Sequence, residues 1–236
     1  MLFYKKSIEV DIHDIDFNGV ARASALMKYI QNSAQSQLTD SGLSYDALKS
    51  KKRAFLLSRI KMEFTDSVRA YEKLNAITFP CDSRGYSFLR CYSLEREGVT
   101  IGRAVSVWAL IDTDTRGLVK VSDFELGLQT YAPLDITLTR IALPSEMIEV
   151  GSYRVTYGMI DQNNHMNNTV YPDMYSTFLP LEKKRIESIS IAYLNEAPAG
   201  ENLTVMRGCF DGVYYFRTIR EDGKINSEAE IHLCDI

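Results

Sequence analysis

The chain repeats itself, and no other property of the sequence constrains its fold as strongly. Asp16-Phe17-Asn18-Gly19-Val20 spaces Asp and Asn as Asp161-Gln162-Asn163-Asn164-His165 does. Each stretch follows an alternating run, Tyr4 to Ile12 or Ser152 to Ile160, and each precedes a helix pattern. Further on, Ile60-Lys61-Met62-Glu63-Phe64 parallels Ile189-Ser190-Ile191-Ala192-Tyr193, and Glu72-Lys73-Leu74 parallels Glu201-Asn202-Leu203. Glu97-Gly98 and Asp222-Gly223 are matching turns between strand patterns, after which Ala104 matches Ala229 and Asp112 falls near Asp235. The separation shrinks from 145 residues (Asp16 to Asp161) to 129 (Ile60 to Ile189) to 125 (Glu97 to Asp222), as loop deletions would produce. The same element types in the same order predict a duplication.

Each copy reads as a strand, a loop, a helix and about four strands. In the first, a helix over 22–38 places Leu26, Ile30, Ala34 and Leu38 on one face with Met27 beside them. Strands are expected over 53–64, 72–82, 86–96 and 100–112. In the second, a helix over 168–178 carries Val170, Met174 and Phe178 on one side, with Asn167 or Asn168 as N-cap and Pro172 in the first turn. Strands follow over 186–194, 201–210, 213–220 and 225–234. A helix followed by meandering strands predicts an α+β fold, an antiparallel sheet wrapped around a long helix in each half. The units are 1–125 and 149–236, joined by a linker over 126–148 that contains Pro133 and Pro144.

Composition narrows the function classes. The 236 residues are 45% apolar and 25% charged with a net charge of −4, too acidic for a dedicated nucleic-acid binder. No run of about 18 apolar residues is present to span a membrane. MLFYKKSIEV lacks the apolar stretch of a secretory signal, and the four cysteines form no CxxC pair, so free thiols in the cytoplasm are expected. Cys209 and Cys234 fall inside strand patterns and are expected in the core. Three histidines and no paired cysteines leave no metal site, and no cofactor is expected.

The chemistry sits in one copy. Asp161-Gln162-Asn163-Asn164-His165-Met166-Asn167-Asn168 lies between a strand and a helix start, where backbone N–H groups can polarise a carbonyl. Asp and Asn are also ordinary turn residues, and a self-satisfied loop would need both. Position 20 of the first copy is Val, so that loop forms without a histidine, and His165 is the residue loop geometry does not explain. Glu196 is a second asymmetry, since its counterpart is Ser67. A His and a carboxylate around one water supply general acid–base chemistry. No Gly-x-Ser-x-Gly elbow is present.

Asp161-x-Asn163-x-His165-Met166-Asn167-Asn168, with Tyr171 three residues on, resembles the active-site segment of the acyl-acyl carrier protein (acyl-ACP) thioesterases, bacterial type. Arg103 to Trp108 followed by Thr115-Arg116 and Lys120, Ser58-Arg59 with Met62-Glu63-Phe64, and Tyr193 to Glu196 resemble further segments of that family, so the likeness runs from about residue 2 to 234. It implies a tandem double hotdog, with a catalytic C-terminal half and an N-terminal half that binds the acyl chain and carries a degenerate site. The implied catalytic set is Asp161, Asn163, His165 and Glu196, with Asn167 and Asn168 at the substrate. Many plant members carry cysteine after the glutamate; Ala197 here excludes a nucleophile at that position and favours attack by water.

The implied reaction is hydrolysis of a fatty acyl-ACP thioester. Whether Glu196 or His165 is the base, or Glu196 a nucleophile, stays open at this level. Leu26, Met27, Ile30, Phe55 and Leu57 are candidates for the acyl tunnel, although such residues would line the core of any hotdog. Lys51-Lys52-Arg53 and Lys183-Lys184-Arg185 hold matching places and are candidate docking sites for the acidic carrier, or solvated strand entries. A homodimer follows by analogy with hotdog folds. A coenzyme A thioesterase and a non-catalytic acyl-thioester-binding protein are the competing readings; a hotdog dehydratase lacks its proline-spaced histidine motif here.

Overall fold

A computed structural model describes residues 3–236, so the first two residues of the unit expected over 1–125 lie outside it. The first half comprises β1 (Tyr4–Glu9), α1 (Ala23–Asp40), α2 (Tyr45–Ser50), β2 (Arg53–Phe64), β3 (Lys73–Pro80), β4 (Phe88–Arg96), β5 (Val99–Asp112) and the short β6 (Leu118–Val119). The second comprises β7 (Ile148–Arg154), α3 (Tyr171–Ser176), β8 (Lys184–Tyr193), β9 (Asn202–Phe210), β10 (Val213–Ile219) and β11 (Ile225–Asp235). The strands join in one antiparallel sheet in the order β1-β3-β4-β5-β2-β8-β11-β10-β9-β7, with β6 on β5. The second half of that order is the first read backwards through equivalent strands, the tandem hotdog arrangement.

The halves meet where β2 pairs with β8. Lys61 stands opposite Ser190 there, and the repeat makes these two residues equivalent (61 + 129 = 190). An approximate twofold axis therefore passes between them. The registers agree on either side: Met62 faces Ala104, and the equivalent Ile191 faces Ala229. Ser58 in β2 and Glu187 in β8 are each bulged out of the ladder, again 129 residues apart. A bulge bends its strand and increases the local twist, so its presence at equivalent positions gives both halves the same curl.

One apolar cluster spans the junction. Leu26, Met27, Ile30 and Ala34 of α1 pack with Ile60, Met62, Leu74 and Leu94 of the first half and Ile189, Ile191 and Phe216 of the second. Each fully buried Leu, Ile or Phe contributes on the order of 1.5–3 kcal/mol, so dividing the chain at the junction would strip stabilisation from both parts.

The second half departs from a sheet around a long helix. Residues 168–170 form a 3₁₀ turn and α3 has only six residues. The Ser176 and Thr177 hydroxyls donate to the carbonyls of Pro172 (2.8 Å) and Asp173 (3.1 Å), and Pro180 bars continuation. The ends of the expected first strands are also 3₁₀ turns, at Ile12–Asp14 and Tyr157–Met159. The cysteine expectation is corrected. Cys234 is partly exposed because it alternates with the inward Ala229, Ile231 and Leu233. Cys209, on the inward-facing register of Leu203 and Val205, is exposed because it lies at the end of β9 beside the exposed Phe210, whereas Cys81 and Cys91 are buried. No helix among the described residues is long and apolar enough to cross a membrane.

Candidate active site

The 161–168 loop is shaped by its own polar groups. Asp161 Oδ1 accepts the Asn163 N–H at 2.8 Å, the Asp161 N–H donates to the His165 carbonyl at 2.9 Å, and the Asn164 N–H donates to the Asp161 carbonyl at 3.0 Å. Asn164 takes a left-handed backbone with φ of 64°. The first-half loop reproduces each feature. Asp16 Oδ1 accepts the Asn18 N–H at 2.8 Å, the Asp16 N–H donates to the Val20 carbonyl at 2.8 Å, and Gly19 holds φ at 76°. Asp and Asn are thus required by the turn in both halves, and His165 is an addition to a turn that forms without it.

Backbone pairing carries His165 to Glu196. The Met166 N–H donates to the Ala197 carbonyl at 2.8 Å, and His165 bridges Pro198. His165 Nε2 lies 3.3 Å from Glu196 Oε2, with the imidazole 29% and the carboxylate side chain 47% exposed. Both are therefore tied in position yet open to a small molecule. The first half keeps the tie, Ala21 N–H to Val68 carbonyl at 2.8 Å, but presents Val20 and Ser67 across it.

Asn163 completes the arrangement. Its Nδ2 donates to Asp161 Oδ2 at 3.3 Å, and its Oδ1 accepts the Tyr45 hydroxyl at 3.1 Å. The second Nδ2 hydrogen has no protein acceptor among the described residues. Asp161 holds Asn163, and among the described residues it makes no hydrogen bond to the His165 ring. Asn167 Oδ1 caps the following turn, accepting the Thr169 N–H (2.9 Å) and hydroxyl (2.8 Å), while the Asn168 carbonyl accepts the Tyr193 hydroxyl at 3.0 Å.

A groove of about 1540 Å³ borders Asp161, Asn163, His165, Asn167, Asn168 and Glu196. Phe55 and Leu57 line it, and the Phe55 ring meets Phe88 and Phe124 edge-on at centroid distances of 5.3 and 6.0 Å. Leu26, Met27 and Ile30 do not border it: they are buried in the core, and Leu26 instead edges a smaller cavity of about 420 Å³ beside Val20 and Ser67. The apolar stripe of α1 divides along its length: Leu26, Met27 and Ile30 turn into the core, while Ala34 and Leu38 further along it border the groove with Gln31 and Gln35. Arg90 borders the groove too, a buried guanidinium donating to Gln37 Oε1 (2.6 Å) and Thr78 Oγ1 (3.1 Å), its pKa lowered by burial. Burial likewise pushes the Tyr171 phenol up to about 12, keeping it protonated.

The basic clusters lie one residue out of register. Lys52 and Lys183 share a left-handed backbone, φ 58° in each, so Lys52-Arg53 matches Lys183-Lys184. Lys52 and Arg53 are paired with Asp114 and Asp112. Arg185 is half-buried and donates to the Phe64 carbonyl at 3.0 Å. Lys51, Lys183 and Lys184 are exposed.

Sequence reasoning missed Tyr45 and Arg90. Tyr45 opens a six-residue helix, too short for periodicity; its one local signal is Ser44, whose hydroxyl oxygen accepts the Ala47 N–H at 3.2 Å as an N-cap. Arg90 shares the alternation face of the buried Phe88, Tyr92 and Leu94 in β4, and a charge on that face is the signal that could have found it; Gln37 of α1 accepts from it there.

Residues 1–126 match the family model described as the acyl-ACP thioesterase N-terminal domain, and residues 144–233 match its C-terminal domain. The fold is similar to that of an acyl-ACP thioesterase from Bacteroides thetaiotaomicron, with a TM-score of 0.89 and 22% identity over 98% of this chain and 97% of that one. It is also similar to a 12:0-ACP thioesterase from Umbellularia californica, with a TM-score of 0.85 and 15% identity over 100% of this chain and 98% of that one. No curated protein matches the chain. With family models matching in order over both halves, the chain belongs to the acyl-ACP thioesterase family, a family of acyl-thioester hydrolases.

Proposed function

We propose that the protein hydrolyses fatty acyl-ACP to free fatty acid and carrier, using Asp161, Asn163, His165 and Glu196. The observation that carries this reading is the His165–Glu196 pair, 3.3 Å apart on a groove large enough for an acyl chain and absent from the other half. Glu196 takes a proton from a water resting against both it and His165, and the water oxygen bonds to the thioester carbon. The Asn163 Nδ2 hydrogen left over by Asp161 donates to the carbonyl oxygen as negative charge gathers there. When the tetrahedral adduct collapses, the C–S bond breaks and the leaving sulfur recovers the proton through the His–Glu pair. Asp161 acts through Asn163, fixing its rotamer. Ala197, buried with its carbonyl tied to Met166, supplies no nucleophile.

The acyl chain lies along Phe55 and Leu57, so the N-terminal half (1–125) holds the chain, the C-terminal half (149–236) does the chemistry, and the linker (126–148) edges the groove through Leu126 and Leu128. Lys51, Lys183 and Lys184 are the exposed cations for the acidic carrier. The four free thiols fit the cytoplasm, and the sheet edges at β1 and β7 leave room for a homodimer. The test is steady-state hydrolysis of acyl-ACPs of graded length beside the same acyl groups on coenzyme A. Preference for the carrier protein is expected. Equal or greater kcat/KM on coenzyme A overturns the carrier assignment, and binding without turnover on either overturns the enzyme.

A further inference from the structure

A buried polar network distinguishes the half that carries His165 and Glu196, and its hub is Asn226. The Asn226 side chain is fully buried. Its Nδ2 donates to the Asn195 carbonyl at 2.5 Å and to the Tyr171 hydroxyl at 3.0 Å. Its Oδ1 accepts the hydroxyls of Thr218 (2.8 Å) and Ser227 (3.3 Å), and the Ser227 hydroxyl also pairs with that of Tyr175 at 2.7 Å. The Asn226 carbonyl accepts the N–H groups of Leu194 (2.9 Å) and Asn195 (3.1 Å).

The fold does not require this network, because the other half lacks it. The Ile101 carbonyl accepts the Thr65 N–H at 3.0 Å as that of Asn226 accepts Leu194, so Ile101 is the counterpart of Asn226. Leu94 faces Gly102 as Thr218 faces Ser227, which makes those pairs equivalent. The helix offset equates Leu26 with Tyr171 (26 + 145) and Ile30 with Tyr175 (30 + 145). Five polar side chains of one half thus stand where the other has four apolar side chains and a glycine. Buried polar groups are costly unless satisfied and bring no stability advantage over well-packed apolar ones. Their arrangement has a direction: Asn226 joins the residue before Glu196 to Tyr171, on the helix that follows His165.

We propose that Asn226 is a positioning residue for the acyl-thioester hydrolysis described above, locking the turn that carries Glu196 to the segment that carries His165. It touches no reacting atom and acts through Glu196. The inference rests on the site reading just given.

The test compares Asn226→Ile, which installs the side chain of the other half, with Asn226→Ala, Thr218→Val, Glu196→Gln and the double variant Asn226→Ile/Glu196→Gln. Asn226→Ile and Asn226→Ala should lose about 10²-fold in kcat with KM held within about threefold, the pattern of a displaced catalytic group rather than a damaged binding surface. Thr218→Val should lose several-fold, and it decides the matter if the Asn226 variants do not fold. Combined with Glu196→Gln, Asn226→Ile should cause no further loss. Amide exchange at Leu194 to Glu196 should quicken at least tenfold in the Asn226 variants while β2 and β8 stay protected. Full activity in Glu196→Gln overturns the site reading and this inference with it. An inactive Glu196→Gln beside an Asn226→Ile that turns over normally, losses that multiply in the double variant, or unchanged exchange in the turn overturns this inference alone.

Discussion

Asn18 and Asn163 hold equivalent places in the two loops, and their amides have opposite fates. Asn18 Nδ2 donates to the carbonyls of Leu181 (2.7 Å) and Lys184 (3.1 Å), while its Oδ1 accepts the Lys183 N–H at 3.1 Å. The first loop is thereby stitched to the second half. Asn163 instead borders the open groove, with one hydrogen free of protein acceptors among the described residues.

Asn18→Ala should therefore cost stability and spare catalysis. It leaves two carbonyls and one N–H without their partner, which predicts a loss of about 1–3 kcal/mol. Urea denaturation gives the stability change and kcat/KM should stay within about twofold. A fall in activity that outpaces the loss of folded protein would tie the first loop to the chemistry.

Glu196→Gln and His165→Ala should each lower kcat by about 10²–10⁴-fold, the usual range for a positioned acid or base. Both side chains are partly exposed and neither is part of the core, so the thermal midpoint should move by no more than a few degrees. Near wild-type turnover in either removes that residue from the mechanism.

Asn163→Ala should lose about 10²–10³-fold in kcat, the range for one donor to a developing oxyanion. Tyr45→Phe removes only the hydroxyl that orients the Asn163 amide, a hydrogen bond of about 1 kcal/mol, so a loss of about fivefold is expected. A larger effect of Tyr45→Phe than of Asn163→Ala reverses their order of importance.

Leu57 and Ile30 are both buried, but Leu57 borders the groove and Ile30 does not, which gives a contrast in chain-length dependence. Leu57→Trp should fill groove volume and shift the preference to shorter acyl chains. Ile30→Ala should cost about 2–5 kcal/mol of stability and leave the length profile unchanged. A length profile that responds to Ile30→Ala and not to Leu57→Trp would return the acyl chain to the helix face.

Charge reversal at Lys51, Lys183 or Lys184 should raise KM for acyl-ACP and not for acyl-CoA, and rising salt should erase the difference as screening shortens the reach of surface charges. Equal effects on both carriers would separate these lysines from docking.

The repeat was legible because the same motifs recur in the same order at offsets of 145, 129 and 125 residues. Met62 facing Ala104 and Ile191 facing Ala229 join strands that are not consecutive in the chain, so these registers are seen only in the structure, where they agree between the halves. His165 and Glu196 were legible by contrast with Val20 and Ser67, a comparison the repeat makes available within a single sequence. What stayed hidden depends on how α1 rotates over the sheet. Periodicity identifies Leu26, Met27 and Ile30 as its apolar stripe, but nothing local says whether that stripe meets the core or a groove. The helix expected over 168–178 contains α3, but its 3₁₀ start at Asn168–Val170 and its α-helical end at Ser176, where the Ser176 and Thr177 hydroxyls bond back to the helix carbonyls before Pro180, were not legible from periodicity.

The Lys61–Ser190 junction has a consequence for how such a molecule can diverge. In an assembly of two identical subunits, any change of residue is forced on both sites at once. Covalent linkage across β2 and β8 lifts that obligation. One lobe can then carry Val20 and Ser67 where the other carries His165 and Glu196, without a matching change in the other.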